Sequence, residues 1–358
     1  MISIISETQT IMNLATYKGK GYTGLNNLGN TCFLNSCLQV LNHTYELHEI
    51  LDKKGDQKIK SDLIDASILV EWNDLRKVMW SGNGVVSPNK FVHNVHKTAA
   101  AKKKDIFTGY AQNDMPEFLL FMIDCMHNST SRSMNMRING NARNHVDEVA
   151  LRCYGMLKDT YSKEYSEILE LFYGIYISQI ESMDGGVKHV IRPESYFILD
   201  LPILMRDGKT VAPTLYECFK SFVEPEYMTG DNAWFNEKTG QKEDVRKSMT
   251  FWNFPKILVI VLKRFTPDGQ AKMNNMIDIP IDHLDLSAFV RGYNPASYVY
   301  ELFGICNHFG GVTGGHYTAF VRNAENKWLH MNDEKVEIVD NPASIVTPMA
   351  YCLFYRKK

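Results

Sequence analysis

The sequence has no C-x-x-C pair, no long block of like charge, no internal repeat and no apolar segment long enough to cross a bilayer. Each absence removes a class of protein. The seven cysteines, Cys32, Cys37, Cys125, Cys153, Cys218, Cys306 and Cys352, are odd in number and scattered. That pattern reads as free thiols in a reducing compartment, not as a disulfide framework or a thiolate zinc site. The most apolar stretch, Ile257 to Leu262, is six residues between Lys256 and Lys263, where a membrane span needs about 20. Met1 to Tyr22 carries no basic region followed by a long apolar run, so no signal peptide is expected. Lysine plus arginine (39) nearly balance aspartate plus glutamate (41), which argues against recognition by phosphate neutralisation. Neither a nucleic-acid nor a membrane partner is therefore expected. What is present is a chain of 358 residues, 44% apolar, long enough to bury a sizeable core without metal or disulfides.

The hydrophobic period changes along the chain. Residues 1–23 read as a loose lead-in. From 24 to about 170 the spacing is helical: Phe33, Cys37, Val40 and Leu41 form one stripe, and Phe118, Leu119, Phe121, Met122 and Cys125 another. The polar, Asn/Ser/Arg-rich stretch Ser129 to Asn144 reads as a surface excursion. From about Leu171 the pattern is that of strands, including Phe172 to Ile180 and Val187 to Leu201 around an Asp184-Gly185-Gly186 turn. Ile257 to Leu262 reads as a strand buried on both faces. Tyr298 to Asn307, Tyr317 to Arg322, Trp328 to Met331 and Tyr351 to Tyr355 add further strands. A helical half followed by a β-rich half implies an α+β fold.

Two segments carry chemistry. In Gly24-Leu25-Asn26-Asn27-Leu28-Gly29-Asn30-Thr31-Cys32-Phe33-Leu34-Asn35-Ser36, glycines and asparagines predict a tight turn that ends as a helix begins at Cys32. A thiol there lies beside unpaired N–H groups and the positive end of the helix dipole, which lower a thiol pKa. Asn27 and the Cys32 N–H are placed to hold an oxyanion. A buried structural cysteine at a helix cap would give the same local pattern, and Cys37, on the apolar stripe, reads as core.

The second segment is His308-Phe309-Gly310-Gly311-Val312-Thr313-Gly314-Gly315-His316-Tyr317. Its glycines predict a mobile loop, with His316 at the start of a strand. A hairpin centred on Ala324 would set Phe320 opposite Trp328, His316 opposite Asn332, and His330 opposite Thr318. Asn332 would then fix the imidazole; a one-residue slip would offer Asp333 instead. Cysteine, oriented histidine and orienting amide are the parts of nucleophilic acyl transfer. A lone histidine is more often a surface or core residue, and His283, His308 and His330 keep that reading.

Together these segments resemble the catalytic domain of the ubiquitin-specific protease family. The Gly24 to Ser36 segment is similar to its cysteine box. Gln112-Asn113-Asp114-Met115-Pro116-Glu117-Phe118-Leu119 is similar to its Gln-Asp-…-Glu-Phe-Leu segment. Pro255 to Phe265 resembles its central strand, Gly314 to Phe320 with Trp328 to Val336 its histidine box, and Tyr351 to Tyr355 its last strand. The matches run in family order from Gly24 to Tyr355. The resemblance implies a papain-like cysteine peptidase over 24–358, with thumb (about 24–170), fingers (about 171–250) and palm (the remainder). It implies Cys32 as nucleophile, His316 as base, Asn332 as third residue, Asn27 in the oxyanion hole, and Asp333 as an acidic neighbour sharing the third residue's work. Gln112, Asp114, Gly314, Gly315 and Tyr317 are implied contacts of the ubiquitin tail, and a glycine-lined channel suits a tail ending in Gly-Gly.

Two departures stand out. Where many members carry zinc cysteines in the fingers, this chain reads Glu181-Ser182-Met183-Asp184 and Trp234-Phe235-Asn236-Glu237-Lys238-Thr239. No metal and no cofactor is expected, and packing with strand pairing must hold the fingers. The third residue is Asn where many members have Asp; an amide orients an imidazole but stabilises its cation less. The implied function is hydrolysis of the (iso)peptide bond at the C-terminal glycine of ubiquitin, with ubiquitin and ubiquitinated proteins as partners and an intracellular location, cytoplasm or nucleus. A protease for a ubiquitin-like modifier and a catalytically silent ubiquitin-binding scaffold are the alternatives.

Overall fold

The run Ile257–Lys263 explains the architecture. Successive strand residues point to opposite faces, and here both faces are covered. Ile257, Val259 and Val261 enter one core, together with Cys37, Leu38, Phe118 and Phe303. Leu258, Ile260 and Leu262 enter a second core, with Phe219, Leu302 and Tyr355. Each such aliphatic side chain contributes about 1.5–3 kcal/mol when fully buried, so a six-residue apolar run is what a two-sided strand requires.

In the computed structural model, which describes residues 2–4, 13–54, 59–266, 268–312 and 314–358, this strand lies in an eight-stranded sheet. Its order is Lys335–Val339, Trp328–Asn332, Gly314–Arg322, Val299–Gly311, Ala350–Lys357, Ile257–Lys263, Ile198–Pro202, with Leu284–Asp285 paired to Val299–Gly311. Only the pairing of Ile257–Lys263 with Ile198–Pro202 is parallel among these. Helices Cys32–Asn42, Ala66–Ser81, Asn89–Ala101 and Met115–Thr130 form a body against one face. Helix Cys32–Asn42 is buried along its whole length. Gly304 lets it approach the sheet, because a Cβ there would meet Val40 Cγ1 at 2.5 Å.

A second sheet, in the order Lys188–Tyr196, Gly174–Ser182, Val245–Asn253, Glu226–Met228, projects from this body. At its far end the positions that resemble zinc ligand sites carry other chemistry. Arg246 Nη2 pairs with Glu181 Oε1 at 2.9 Å. Asn236 Nδ2 and Thr239 Oγ1 each donate to Glu243 Oε1 at 2.8 Å, and His189 lies against the Trp234 ring at 5.3 Å between centroids.

Two expectations are corrected. The lead-in is not loose where it is described. Ile2 is buried in the small core formed by Val149, Cys153, Ile177 and Trp252, and Ser3–Ile4 pairs with Ile138–Asn139. Tyr17 packs on Tyr45, His48 and Trp80, with centroids 4.5, 5.7 and 5.1 Å apart; residues 5–12 lie outside the described residues. The excursion Ser129 to Asn144 is exposed for much of its length but pinned. Arg132 and Tyr165 exchange backbone hydrogen bonds of 2.8 and 2.7 Å, Arg132 pairs with Glu167, and Met136 is buried. In both stretches single apolar or aromatic residues, too sparse to set a period, provide the anchors.

Candidate active site

The turn before Cys32 forms as its composition requires. Gly29 and Asn30 take φ of +98° and +55°, the left-handed region that glycine and asparagine tolerate best. Asn27 Oδ1 accepts from the N–H groups of Gly29 (3.0 Å) and Thr31 (3.2 Å). Thr31 Oγ1 accepts from Leu28 N–H at 2.9 Å. Cys32 is the first residue of the helix, and the residue is 4% exposed. Backbone N–H groups of Tyr317, Phe33 and Cys32 itself pull the thiol pKa down, as the helix-start argument predicts. Burial pushes it up by more, and the charge of Asp333 adds to that. The net direction is upward, which corrects the expectation of a lowered pKa: the helix terminus was legible, the depth of burial was not.

His316 lies on Gly314–Arg322, and its Nε2 is 2.7 Å from Asn332 Oδ1. With an amide oxygen as acceptor, Nε2 carries the proton and Nδ1 keeps its lone pair. The contact is as expected but the register is not. Arg322 faces Trp328, Phe320 faces His330 and Ala319 faces Met331, so His316 and Asn332 meet as diagonal neighbours on one face. The turn explains the shift. Asn326 takes φ +61°, Asn323 N–H bonds to Lys327 O at 2.9 Å, and Asn323 Oδ1 accepts from Glu325 and Lys327. The hairpin therefore closes one residue further on, and the two-residue change of partner preserves the face. Among the described residues no hydrogen bond joins the Cys32 thiol to the imidazole; such bonds often tighten only when substrate binds.

Asp333 sits elsewhere than expected. Its carboxylate accepts from Asn27 Nδ2 (3.0 Å) and Asn35 Nδ2 (2.8 Å), not from His316. Its backbone oxygen accepts from Leu25 N–H at 2.9 Å, and Glu334 Oε1 accepts from Asn27 N–H at 2.8 Å. Gly24 is obligatory, because a Cβ would lie 2.2 Å from Glu334 O. The cysteine turn and the histidine hairpin are thus one hydrogen-bonded unit. Asn35 and Glu334 were missed by sequence reading. An asparagine in the first helical turns, where it is a poor helix former, was the available signal for Asn35.

Where a loop was expected, the glycines extend the hairpin: Gly310 faces Gly315 and Gly311 faces Gly314. Gln112 clasps Gly315, its Oε1 accepting from Gly315 N–H (2.8 Å) and its Nε2 donating to Gly315 O (3.0 Å). Asp114 precedes helix Met115–Thr130 and accepts hydroxyl bonds from Tyr317 (2.9 Å) and Tyr351 (3.2 Å). Burial raises its pKa to about 6, against the pull of both hydroxyls. A groove of about 430 Å³ runs from here, lined by Asp114, Glu117, Asp200, Leu120, Phe197 and Val261. Burial also raises the pKa of Asp200, with Lys263 opposing. Glu117 and Asp200 were not foreseen; Asp200 enters only because Ile198–Pro202 is the parallel neighbour of the central strand. A larger cavity of about 1050 Å³ lies at Tyr161, Lys256 and Lys357 and holds neither Cys32 nor His316; chemistry, not volume, marks the site. No group of three or more His, Cys, Asp or Glu among the described residues is arranged to hold a metal, and none of the described helices is long and apolar enough to cross a membrane.

Comparison with known proteins places this geometry in a lineage. The sequence model described as "Ubiquitin carboxyl-terminal hydrolase" matches residues 23–355. The chain is 33% identical over 350 residues to human ubiquitin carboxyl-terminal hydrolase 2, covering 94% of this chain and 55% of that protein. It is 30% identical over 359 residues to mouse ubiquitin carboxyl-terminal hydrolase 21, covering 94% and 62%. The chain thus spans little more than half the length of these curated relatives. In structure it is similar to a chain of the SAGA DUB module Ubp8/Sgf11/Sus1/Sgf73 bound to monoubiquitin, at TM-score 0.72 and 23% identity, covering 98% of this chain and 72% of that one. The fold is accordingly the papain-like one with thumb, fingers and palm, in a version whose fingers lack the zinc cysteines. The chain belongs to the ubiquitin carboxyl-terminal hydrolase family.

Proposed function

We propose that this chain is a deubiquitinating cysteine peptidase acting at the C-terminal glycine of ubiquitin, on ubiquitinated proteins or ubiquitin chains. The observation that carries the reading is the 2.7 Å bond from His316 Nε2 to Asn332 Oδ1, which leaves Nδ1 as the basic nitrogen of the strand whose Tyr317 N–H reaches the Cys32 thiol. Because burial holds that thiol in its neutral form, attack requires a base. His316 takes the Cys32 proton as Sγ adds to the glycine carbonyl. We assign the oxyanion to the Cys32 N–H and the second proton of Asn27 Nδ2, each such donor lowering the barrier by about 3 kcal/mol. His316 then protonates the leaving amine, and a water activated by the same imidazole releases the acyl-enzyme.

The acidic groove along Asp114, Glu117 and Asp200 supports recognition of a ubiquitin tail that presents an arginine. We place the thumb at about 24–170, the fingers at about 171–250 and the palm in the remainder. Free thiols throughout support an intracellular setting. The test is reaction with a ubiquitin probe bearing a C-terminal electrophile. Wild type forms a covalent adduct and Cys32→Ala forms none. Processing of ubiquitin chains by Cys32→Ala would sink the mechanism, and preference for a probe built on another modifier would redirect the substrate.

A further inference from the structure

The segment Gln112-Asn113-Asp114 touches the two residues that flank the base. Gln112 makes two hydrogen bonds to the backbone of Gly315, of 2.8 and 3.0 Å. Asp114 holds the hydroxyl of Tyr317 at 2.9 Å. His316 lies between these two anchored residues. The reason lies in the sheet. Strand Gly314–Arg322 outgrows its neighbour, for the ladder with Trp328–Asn332 ends at Ala319 opposite Met331. Beyond that point one edge of the strand has no partner strand among the described residues, and an unpaired backbone edge costs free energy when water is displaced from it. The Gln112 side-chain amide presents the same donor and acceptor as a peptide and completes the edge at Gly315. The fit is close: a Cβ on Gly314 would lie 2.6 Å from Gln112 Oε1, and one on Gly315 would lie 2.0 Å from Phe309 O and 2.5 Å from His308 Nε2. The glycines are therefore required by contacts within the protein itself, before any substrate enters.

Resting on the cysteine-peptidase reading above, we propose that Gln112 is a positioning residue for His316. Through the Gly315 peptide it fixes the imidazole relative to Cys32, across the boundary between the helical body and the sheet, and it does so whether or not ubiquitin is bound. Asp114 is the second arm of the same brace, held in turn by Tyr351 at 3.2 Å. A role confined to gripping the ubiquitin tail would leave the chemistry of the unliganded site untouched, and this difference is measurable.

The experiment is the pH dependence of Cys32 alkylation by iodoacetamide in the absence of ubiquitin, compared between wild type and Gln112→Ala, with Cys32→Ala identifying the modified site. Gln112 is exposed, so truncation leaves no cavity; thermal unfolding reports whether the fold survives, and Gln112→Glu, which keeps the acceptor and loses the donor, serves as the conservative variant. With His316 displaced, the Gln112→Ala reaction at neutral pH falls about tenfold and its acid limb moves to higher pH, towards that of an unassisted thiol. Gln112→Glu falls between the two. An alkylation rate and pH profile identical to wild type, or a faster reaction with the wild-type profile, overturns the proposal. Failure of wild type to react with the ubiquitin probe would instead count against the substrate reading and leave the alkylation result standing.

Discussion

The cleft and the fingers are built on opposite plans. In the cleft, side-chain amides and carboxylates reach groups far away in sequence: Asn27 and Asn35 to Asp333, Gln112 to Gly315, Asp114 to Tyr317 and Tyr351. Most of these bonds satisfy backbone or are doubly anchored, and several rest on glycines that admit no side chain. In the fingers the bonds at the far end join close neighbours, either within one hairpin, as in Asn236–Glu243 and Thr239–Glu243, or directly across paired strands, as in Arg246–Glu181. The difference teaches where precision is needed. The cleft must hold reacting atoms to fractions of an ångström, whereas the fingers need only keep a shape, which strand pairing supplies.

The largest effect that would sharpen this contrast is in the cleft. Asn332→Ala frees the imidazole to rotate and tautomerise, and kcat should drop about 100-fold with KM for a ubiquitin substrate nearly unchanged. An equal rise in KM would mean that Asn332 belongs to binding. Acid separates the two regions next. His43 and His308 are buried, with pKa values lowered to about 4, and His48 to about 3, in each case chiefly by burial. All three lie outside the projecting sheet. Their unfolded pKa is near 6.5, so between there and the folded value the unfolded chain binds protons that the folded chain does not. The stability they provide is present above pH 6.5 and lost as pH falls towards 4, by about 2 kcal/mol per histidine at pH 5. Asp114 acts in the opposite sense, its raised pKa favouring the folded state as pH falls from about 6 towards 4, and it offsets part of one histidine. Denaturant unfolding at pH 7 and pH 5 measures the sum; hydrogen exchange should show protection lost first in the helical body and palm. The smallest effect is in the fingers. Arg246→Ala removes a part-exposed ion pair with Glu181 and should lower stability by about 1 kcal/mol or less. A chelator should leave the melting temperature of wild type unchanged; a drop of several degrees would show that a metal holds the fingers after all.

Much of this was legible in the sequence, for physical reasons that can be named. The central strand announced itself because both its faces are buried, and Cys32 because a Gly/Asn turn meets an apolar helix there. The meeting of His316 with Asn332 survived an error in register, since a two-residue change of partner keeps the face. Other features depend on depth and distance that no local pattern encodes. Burial outweighs the helix terminus at Cys32. Asp333 turns to Asn27 and Asn35 because Gly24 packs on the backbone of Glu334 and Leu25 bonds to that of Asp333. Asp200 reaches the groove through a parallel pairing of distant strands. The lead-in is fastened by isolated residues, Ile2 and Tyr17, that set no period.

The position of strand Ala350–Lys357 has a consequence for how the protein comes into being. It is the last strand in sequence among those described, yet it lies in the middle of the long sheet, between Val299–Gly311 and Ile257–Lys263. During synthesis the two halves of that sheet have an open seam until the strand has cleared the ribosome. The Tyr351 hydroxyl that holds Asp114 arrives with it. A nascent chain can therefore carry Cys32, His316 and Asn332 and still lack an assembled cleft. The cleft is therefore assembled in one step, when this strand enters the sheet, and not piece by piece.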